Sequence, residues 1–220
     1  MTELAMERRG LARLMAFGLG TAVFGGLTSQ LVAAPTASEP ADLVQRANVT
    51  LDEARRDPQF GTSSDLFGTA KAIMVVPQLV KGGFFVGGEG GNGMLIARRG
   101  HGWSSPAFYT LASASFGLQI GLEVSEVVLF VMSDRALRAW MQDQVKLGGQ
   151  AGLTVLVVGS GASAAATTHG NVDVIAWAKS KGAYAGITLE GSIIKPRNEW
   201  NAAYYGRAVS PSQALKMASG

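Results

Sequence analysis

The segment that most limits what this chain can fold into is Gly88-Glu89-Gly90-Gly91-Asn92-Gly93. Read literally it is G-x-G-x-x-G, whose glycines admit a pyrophosphate and open a helix in dinucleotide-binding folds. Here it runs into Met94-Leu95-Ile96-Ala97, an apolar strand-like stretch with no helical pattern after it. Glycines in that setting are turns, bulges and close backbone approaches within a sheet. Gly159-Ser160-Gly161, after the apolar run 154–158, raises the same question. Only residues 162–168 precede His169-Gly170-Asn171, too few for a crossover helix. No carboxylate stands about 20 residues further on, as a ribose contact would need. Neither segment ends in the Gly-Lys-Ser/Thr of a phosphate loop, and nucleotide binding is set aside.

Around this segment the hydrophobic period predicts both element types. Leu43, Val44, Ala47 and Leu51 give a helix over 41–56, started by Pro40 and stopped by Asp57-Pro58. Ser64 and Asp65 cap a short helical turn through Ala70. Residues 72–76 read as a strand halted by Pro77. Phe116, Leu118, Ile120, Leu122 and Val124 alternate with polar or glycine positions, the pattern of one half-buried strand. A buried strand at 127–132 follows. Ser133 then caps a helix presenting Leu137, Trp140, Met141 and Gln144, ended by Leu147-Gly148-Gly149. Residues 152–158, 172–178 and 184–194 are further strands, and 211–217 a last helical turn. Many strands without long helices between them give an α+β fold. It is mainly an antiparallel β barrel or sandwich, with an N-terminal helix and a helix inserted between strands.

Residues 1–34 form an address rather than part of the fold. Arg8, Arg9 and Arg13 precede an apolar run that ends at Val32-Ala33-Ala34, a suitable cleavage site. Arg8-Arg9 fits a loose twin-arginine pattern, and the general secretory route and an uncleaved anchor stay open. Residues 35–41 are linker, 42–206 the domain and 207–220 a C-terminal tail. The expected location is periplasmic or exported, with membrane association as a variant.

Composition narrows the chemistry. The formal net charge is +3, and residues 1–34 hold +1 of it. The remaining +2 is far from the dense basic stripe of a nucleic-acid binder, so no nucleic acid is expected. With no cysteine and two histidines, both beside glycine in turns, a structural zinc site is not expected, and no cofactor is expected either. No Gly-x-Ser-x-Gly elbow is present. Glu89, Glu123 and Glu190 each sit in an apolar, glycine-rich strand setting, and Asp173 is similar. They are candidate strand carboxylates: either ordinary strand glutamates or a spatial pair for acid–base work. Trp200, Tyr204 and Tyr205 read as core or as an interfacial patch.

Together these residues resemble the SYLF-domain family, a lipid-binding module. The match begins at Ala70-Lys71-Ala72-Ile73 and continues through Pro77-Gln78-Leu79-Val80-Lys81-Gly82-Gly83-Phe84 and the glycine segment. Gly102-Trp103-Ser104-Ser105-Pro106, Gly117-Leu118-Gln119-Ile120-Gly121, Ser180-Lys181-Gly182 and Ala185-Gly186-Ile187-Thr188-Leu189-Glu190-Gly191-Ser192 follow in order, so the match covers about residues 42–206. The resemblance implies a binding function; with the export signal and no catalytic set, the expectation is an exported, non-catalytic binding protein for anionic phospholipid or another envelope component. Lys71, Lys81, Lys179 and Lys181 match its motif positions as headgroup contacts, and Arg55 and Arg56 flank the first helix. Two alternatives accompany it: a structural protein docking an envelope protein or glycan, and a hydrolase using a carboxylate pair. Actin is an improbable partner for a chain with an export signal.

Overall fold

The computed structural model describes residues 35–58, 63–83, 86–116, 121–142, 144–159, 172–181 and 189–218. Residues 1–34, expected as an export signal, His169, and residues 184–188 of the strand expected over 184–194 lie outside them. Helix α1 (Ser38–Arg56) and helix α2 (Ser63–Thr69) lead into strands β1 (Ala72–Gly83), β2 (Val86–Arg99), β3 (Gly102–Trp103), β4 (Ala107–Phe116) and β5 (Gly121–Val131). Helix α3 (Asp134–Trp140) follows, then β6 (Val145–Lys146), β7 (Val155–Gly159), β8 (Val174–Lys181) and β9 (Ile193–Pro196), and finally α4 (Asn198–Tyr205) and α5 (Pro211–Ala214).

The strands form one sheet in the order β6-β9-β4-β2-β1-β5-β8-β7, with β3 attached to β2. All the pairings between these strands are antiparallel except β7 with β8. The two outermost strands, β6 and β7, are joined by the short turn 147–154. Leu147 bridges Leu153 there, and the Gly148 amide donates to the Leu153 carbonyl at 2.8 Å. Gly148 and Gly149 supply the left-handed φ of 71° and 74° this turn requires. The sheet therefore curls into a half-barrel, which decides between the barrel and sandwich expected from the sequence.

Each face of the curl buries its own core. One cluster takes Met74, Leu95, Leu111 and Leu129 from the central strands together with Val145, Leu147 and Leu153 from the two edges. Only the concave side can bring both edges to the centre. Trp140 of α3, Ala214 of α5 and the following Leu215 plug that side, and Tyr109 donates its hydroxyl to the Trp140 carbonyl at 2.7 Å. On the convex side Leu43, Ala47, Leu51 and Ala54 form a stripe along α1, packed with Ile73, Val75, Val128, Phe130 and Trp177. Trp200 of α4 joins that core at 5% exposure, so it is not part of an interfacial patch. Burial on both faces explains the continuous apolar runs in β1 and β5.

Several boundaries differ from expectation. Pro77 does not stop β1. Val75 pairs with Met94 and Val80 with Gly90, so β1 carries one extra residue around Pro77-Gln78. A bulge is where a strand tolerates proline's missing N–H. The single strand expected over 116–124 is not what is seen: β4 ends at Phe116 and β5 starts at Gly121, and residues 117–120 lie outside the described residues. Helix α3 ends at Trp140, and the glycines after it turn a strand rather than cap the helix. Residues 189–192 are a turn, with Gly191 at φ 83°, so Glu190 stands exposed outside any strand. Helix α4 was not expected.

The bulge also explains one glycine. A Cβ on Gly91 would lie 2.5 Å from the Gln78 carbonyl oxygen, whereas one on Gly90 would meet only the Leu111 carbonyl at 3.9 Å. Gly91→Ala is therefore expected to cost about 1–3 kcal/mol by overpacking. Urea denaturation should show that loss while Gly90→Ala stays close to the parent.

Candidate functional site

The positions singled out from sequence separate into two groups, with Lys71, Glu190, Lys181 and Asp173 outside both. The first group lies on the convex side, where α1 ends over β8. Arg55 and Arg56 reach Asp52 at 3.5 and 3.9 Å, and the Arg55 guanidinium sits 4.6 Å above the Phe67 ring. Lys179 pairs with Glu53 at 2.7 Å. Trp177 Nε1 donates to Asp57 Oδ2 at 2.9 Å, which ties the end of α1 to the sheet. Arg46, two turns earlier, is exposed and has no ion-pair partner among the described residues. It borders a groove of about 350 Å³ with Val49, Thr50, Gln78 and the buried Glu126.

The second group lies on the concave side at the end of the curl away from α3. In register, Lys81 pairs with Glu89 on one neighbour and Glu123 on the other, and Glu89 pairs with Ser113. Directly paired residues share a face. Leu79, Gly91, Leu111 and Val127 belong to the same alternation, so the row Ser113–Glu89–Lys81–Glu123 continues the concave core outward. Ser113 donates to Glu89 at 2.8 Å, and Ser125 contacts Glu123 at 3.4 Å and Ser180 at 3.0 Å. Glu89 is 8% exposed. Lys81 has no hydrogen-bond or ion-pair partner among the described residues.

The outliers belong to neither group. Lys71 pairs with Asp134 at 2.9 Å, joining the start of β1 to the start of α3. Glu190 packs in the turn beside Gly148. The Lys181 backbone pairs with Val124, and its side chain lies outside the described residues.

Asp173 holds three elements together. It accepts from Ser133 at 2.5 Å, from the Thr154 amide and hydroxyl at 3.0 Å each, and from Arg135. Burial alone would raise its pKa, but the Arg135, Ser133 and Thr154 hydrogen bonds outweigh it and bring the value to about 2. Burial also pushes the Tyr205 hydroxyl up to about 12, where it donates to the Pro106 carbonyl at 2.6 Å. Among the described residues no group of three or more His, Asp or Glu side chains could hold a metal.

Sequence reasoning passed over the serines of the concave row. Ser113 sits in β4, for which the hydrophobic period predicts no strand before Phe116, and Ser180 enters only as part of the segment Ser180-Lys181-Gly182. The signal that would have found them is a common alternation through β4, β1 and β5 once the bulge at Pro77 is counted. Glu126 and Thr50 were missed because each lies on a face defined only by the packing of α1.

A family model described as "Ysc84: Las17-binding protein actin regulator" matches residues 112–219. Protein YSC84 of Saccharomyces cerevisiae is 36% identical over 141 residues, covering 62% of this chain and 30% of the relative. The rat SH3 domain-containing YSC84-like protein 1 is 32% identical over 154 residues, covering 69% of this chain and 45% of the relative. Yeast LAS seventeen-binding protein 3 is 33% identical over 146 residues, covering 64% and 32%. The chain thus spans between about a third and a half of the length of these curated relatives. The family description and the relatives' names overturn one expectation: actin cannot be dismissed as an improbable partner when the matching family is described as an actin regulator.

Proposed function

The chain is a member of the SYLF-domain family, and from that premise we propose that it is a non-catalytic binding protein of the cell envelope, exported by residues 1–34, whose ligand is anionic phospholipid. The observation that carries the proposal is that Arg46, Arg56 and Lys179 border two adjoining grooves that share Glu53 on the convex side, with Arg55 on the other flank of α1 above Phe67. The side chains of Arg55, Arg56 and Lys179 are 53%, 78% and 48% exposed. Ion pairs at that exposure contribute at most about 1 kcal/mol. A lipid phosphate can therefore replace Asp52 or Glu53 as the partner at little cost. Val49, exposed beside Arg46, offers an apolar side chain to the interface. Each basic residue near an anionic surface contributes about 1 kcal/mol.

A hydrolytic reading is disfavoured by the concave row. Glu89 and Glu123 stand two strand spacings apart, roughly 10 Å, with Lys81 between them. That is an alternation of charge, not two acids facing one bond. A second binding reading, a protein partner on the same convex side, is favoured by the Las17-binding names of the family and of a yeast relative.

Sedimentation of the full chain with vesicles tests the proposal. Binding to phosphatidylglycerol vesicles is expected at low salt, falling steeply as salt rises, with little binding to phosphatidylcholine. Equal sedimentation with both vesicles, or with neither, would contradict it.

A further inference from the structure

We infer that the concave row is a separate ligand site, built for a phosphoethanolamine group: a phosphate and a primary ammonium carried about one strand spacing apart. This goes beyond the reading above and does not depend on the convex cations. Lys81 and Glu123 are direct cross-strand partners on the concave face, about 5 Å apart at Cβ. Two opposite charges so placed would ordinarily close on each other, yet no ion pair joins them. Glu89 is already engaged by Ser113, and Glu123 has only the long contact from Ser125.

That leaves one cation and one anion side by side in a half-buried recess, each with bonding capacity to spare. A phosphate oxygen on Lys81 and an ammonium on Glu123 would satisfy both at once. Charge-assisted hydrogen bonds of this kind are about twice as strong as neutral ones. The Ser125 and Ser180 hydroxyls, 3.0 Å from each other, lie on the next row to meet the remaining oxygens. A primary ammonium suits Glu123 because it donates hydrogen bonds. A quaternary ammonium does not donate them and is recognised by aromatic cages, and Ser113, Glu89, Lys81, Glu123, Ser125 and Ser180 include no aromatic ring.

Titration calorimetry of the full chain with soluble glycerophosphoethanolamine, glycerophosphocholine and glycerol phosphate reads this directly. At least tenfold tighter binding of the ethanolamine compound than of the other two is expected. Glu123→Gln should remove that preference while leaving glycerol phosphate binding unchanged, and Lys81→Gln should weaken all three at least tenfold. Thermal melts of both variants confirm that the fold is intact, and either variant alone suffices. A parallel arm with phosphatidylcholine vesicles, with and without phosphatidylethanolamine, distinguishes a membrane source from a soluble one: a preference seen only on vesicles assigns the site to lipid. Equal affinity for all three soluble compounds with no vesicle preference would overturn the inference, as would absence of binding in both arms. Because phosphatidylglycerol is not used, failure here leaves the convex reading standing.

Discussion

Asp173→Ala is expected to lower the unfolding free energy by about 3 kcal/mol, since the buried carboxylate loses hydrogen bonds from Arg135 and from Ser133 and the Thr154 amide and hydroxyl together, the last three contributing about 1 kcal/mol each. For a chain of this size that is roughly 6–12 °C in Tm. The carboxylate takes hydrogen bonds from Ser133 at the cap of α3 and from the Thr154 amide and hydroxyl ahead of β7, and it stands at the head of β8. Removing it leaves the Thr154 amide without this acceptor and frees the helix cap that Ser133 also supplies to Ala136. The acid dependence follows from the lowered pKa. Its ordinary value is 3.8 and its folded value about 2, so the native state binds the proton less readily than the unfolded chain. The associated stability, about 2 kcal/mol, is fully present above pH ~4 and is lost as pH falls through ~2. Urea midpoints measured from pH 5 to 2 should fall for the parent and stay flatter for Asp173→Ala. Identical acid profiles would remove Asp173 from the account.

Trp177→Ala is expected to have the largest effect on the fold, about 3–5 kcal/mol for a large aromatic removed from a full core. Trp177 is fully buried between α1 and the sheet, in register with Val128 of β5 and Val158 of β7. It does two things that one substitution abolishes. Its ring belongs to the same core as Leu51 and Ala54 of α1, and its Nε1 donates to Asp57 just past the end of that helix. Trp177→Phe keeps much of the ring and loses the hydrogen bond, so it should fall between parent and alanine. Because Lys179 meets Glu53 across the same seam, Trp177→Ala should also loosen α1 and raise amide exchange there.

The fold was legible where one face of an element is repeated by the sequence. Helix α1 followed from Leu43, Ala47 and Leu51 at helical spacing, and the cap of α3 from Ser133. The fold class, α+β with a helix between strands, followed from the change of period. The bulge was not legible, because Pro77 looks the same whether it ends a strand or sits in one, and only pairing on both sides decides. Helix α4 was not legible because its aromatic residues serve the convex core through tertiary contacts with Phe108. At the site, Glu89 and Glu123 were recognisable as unusual carboxylates. Their meeting across Lys81 depends on the register of three strands, which no local pattern carries. Arg55, Arg56 and Lys179 were named as cations, but their carboxylate partners on α1 belong to packing.

Vesicle affinity of the full chain after simultaneous Arg46→Gln, Arg55→Gln, Arg56→Gln and Lys179→Gln tests the central claim most directly. Four cations at about 1 kcal/mol each predict a loss on phosphatidylglycerol vesicles of about 4 kcal/mol, close to a thousandfold in Kd. The thermal midpoint should move little, since exposed pairs contribute little to stability. Unchanged affinity in a folded quadruple variant would contradict a lipid contact through the end of α1 and β8.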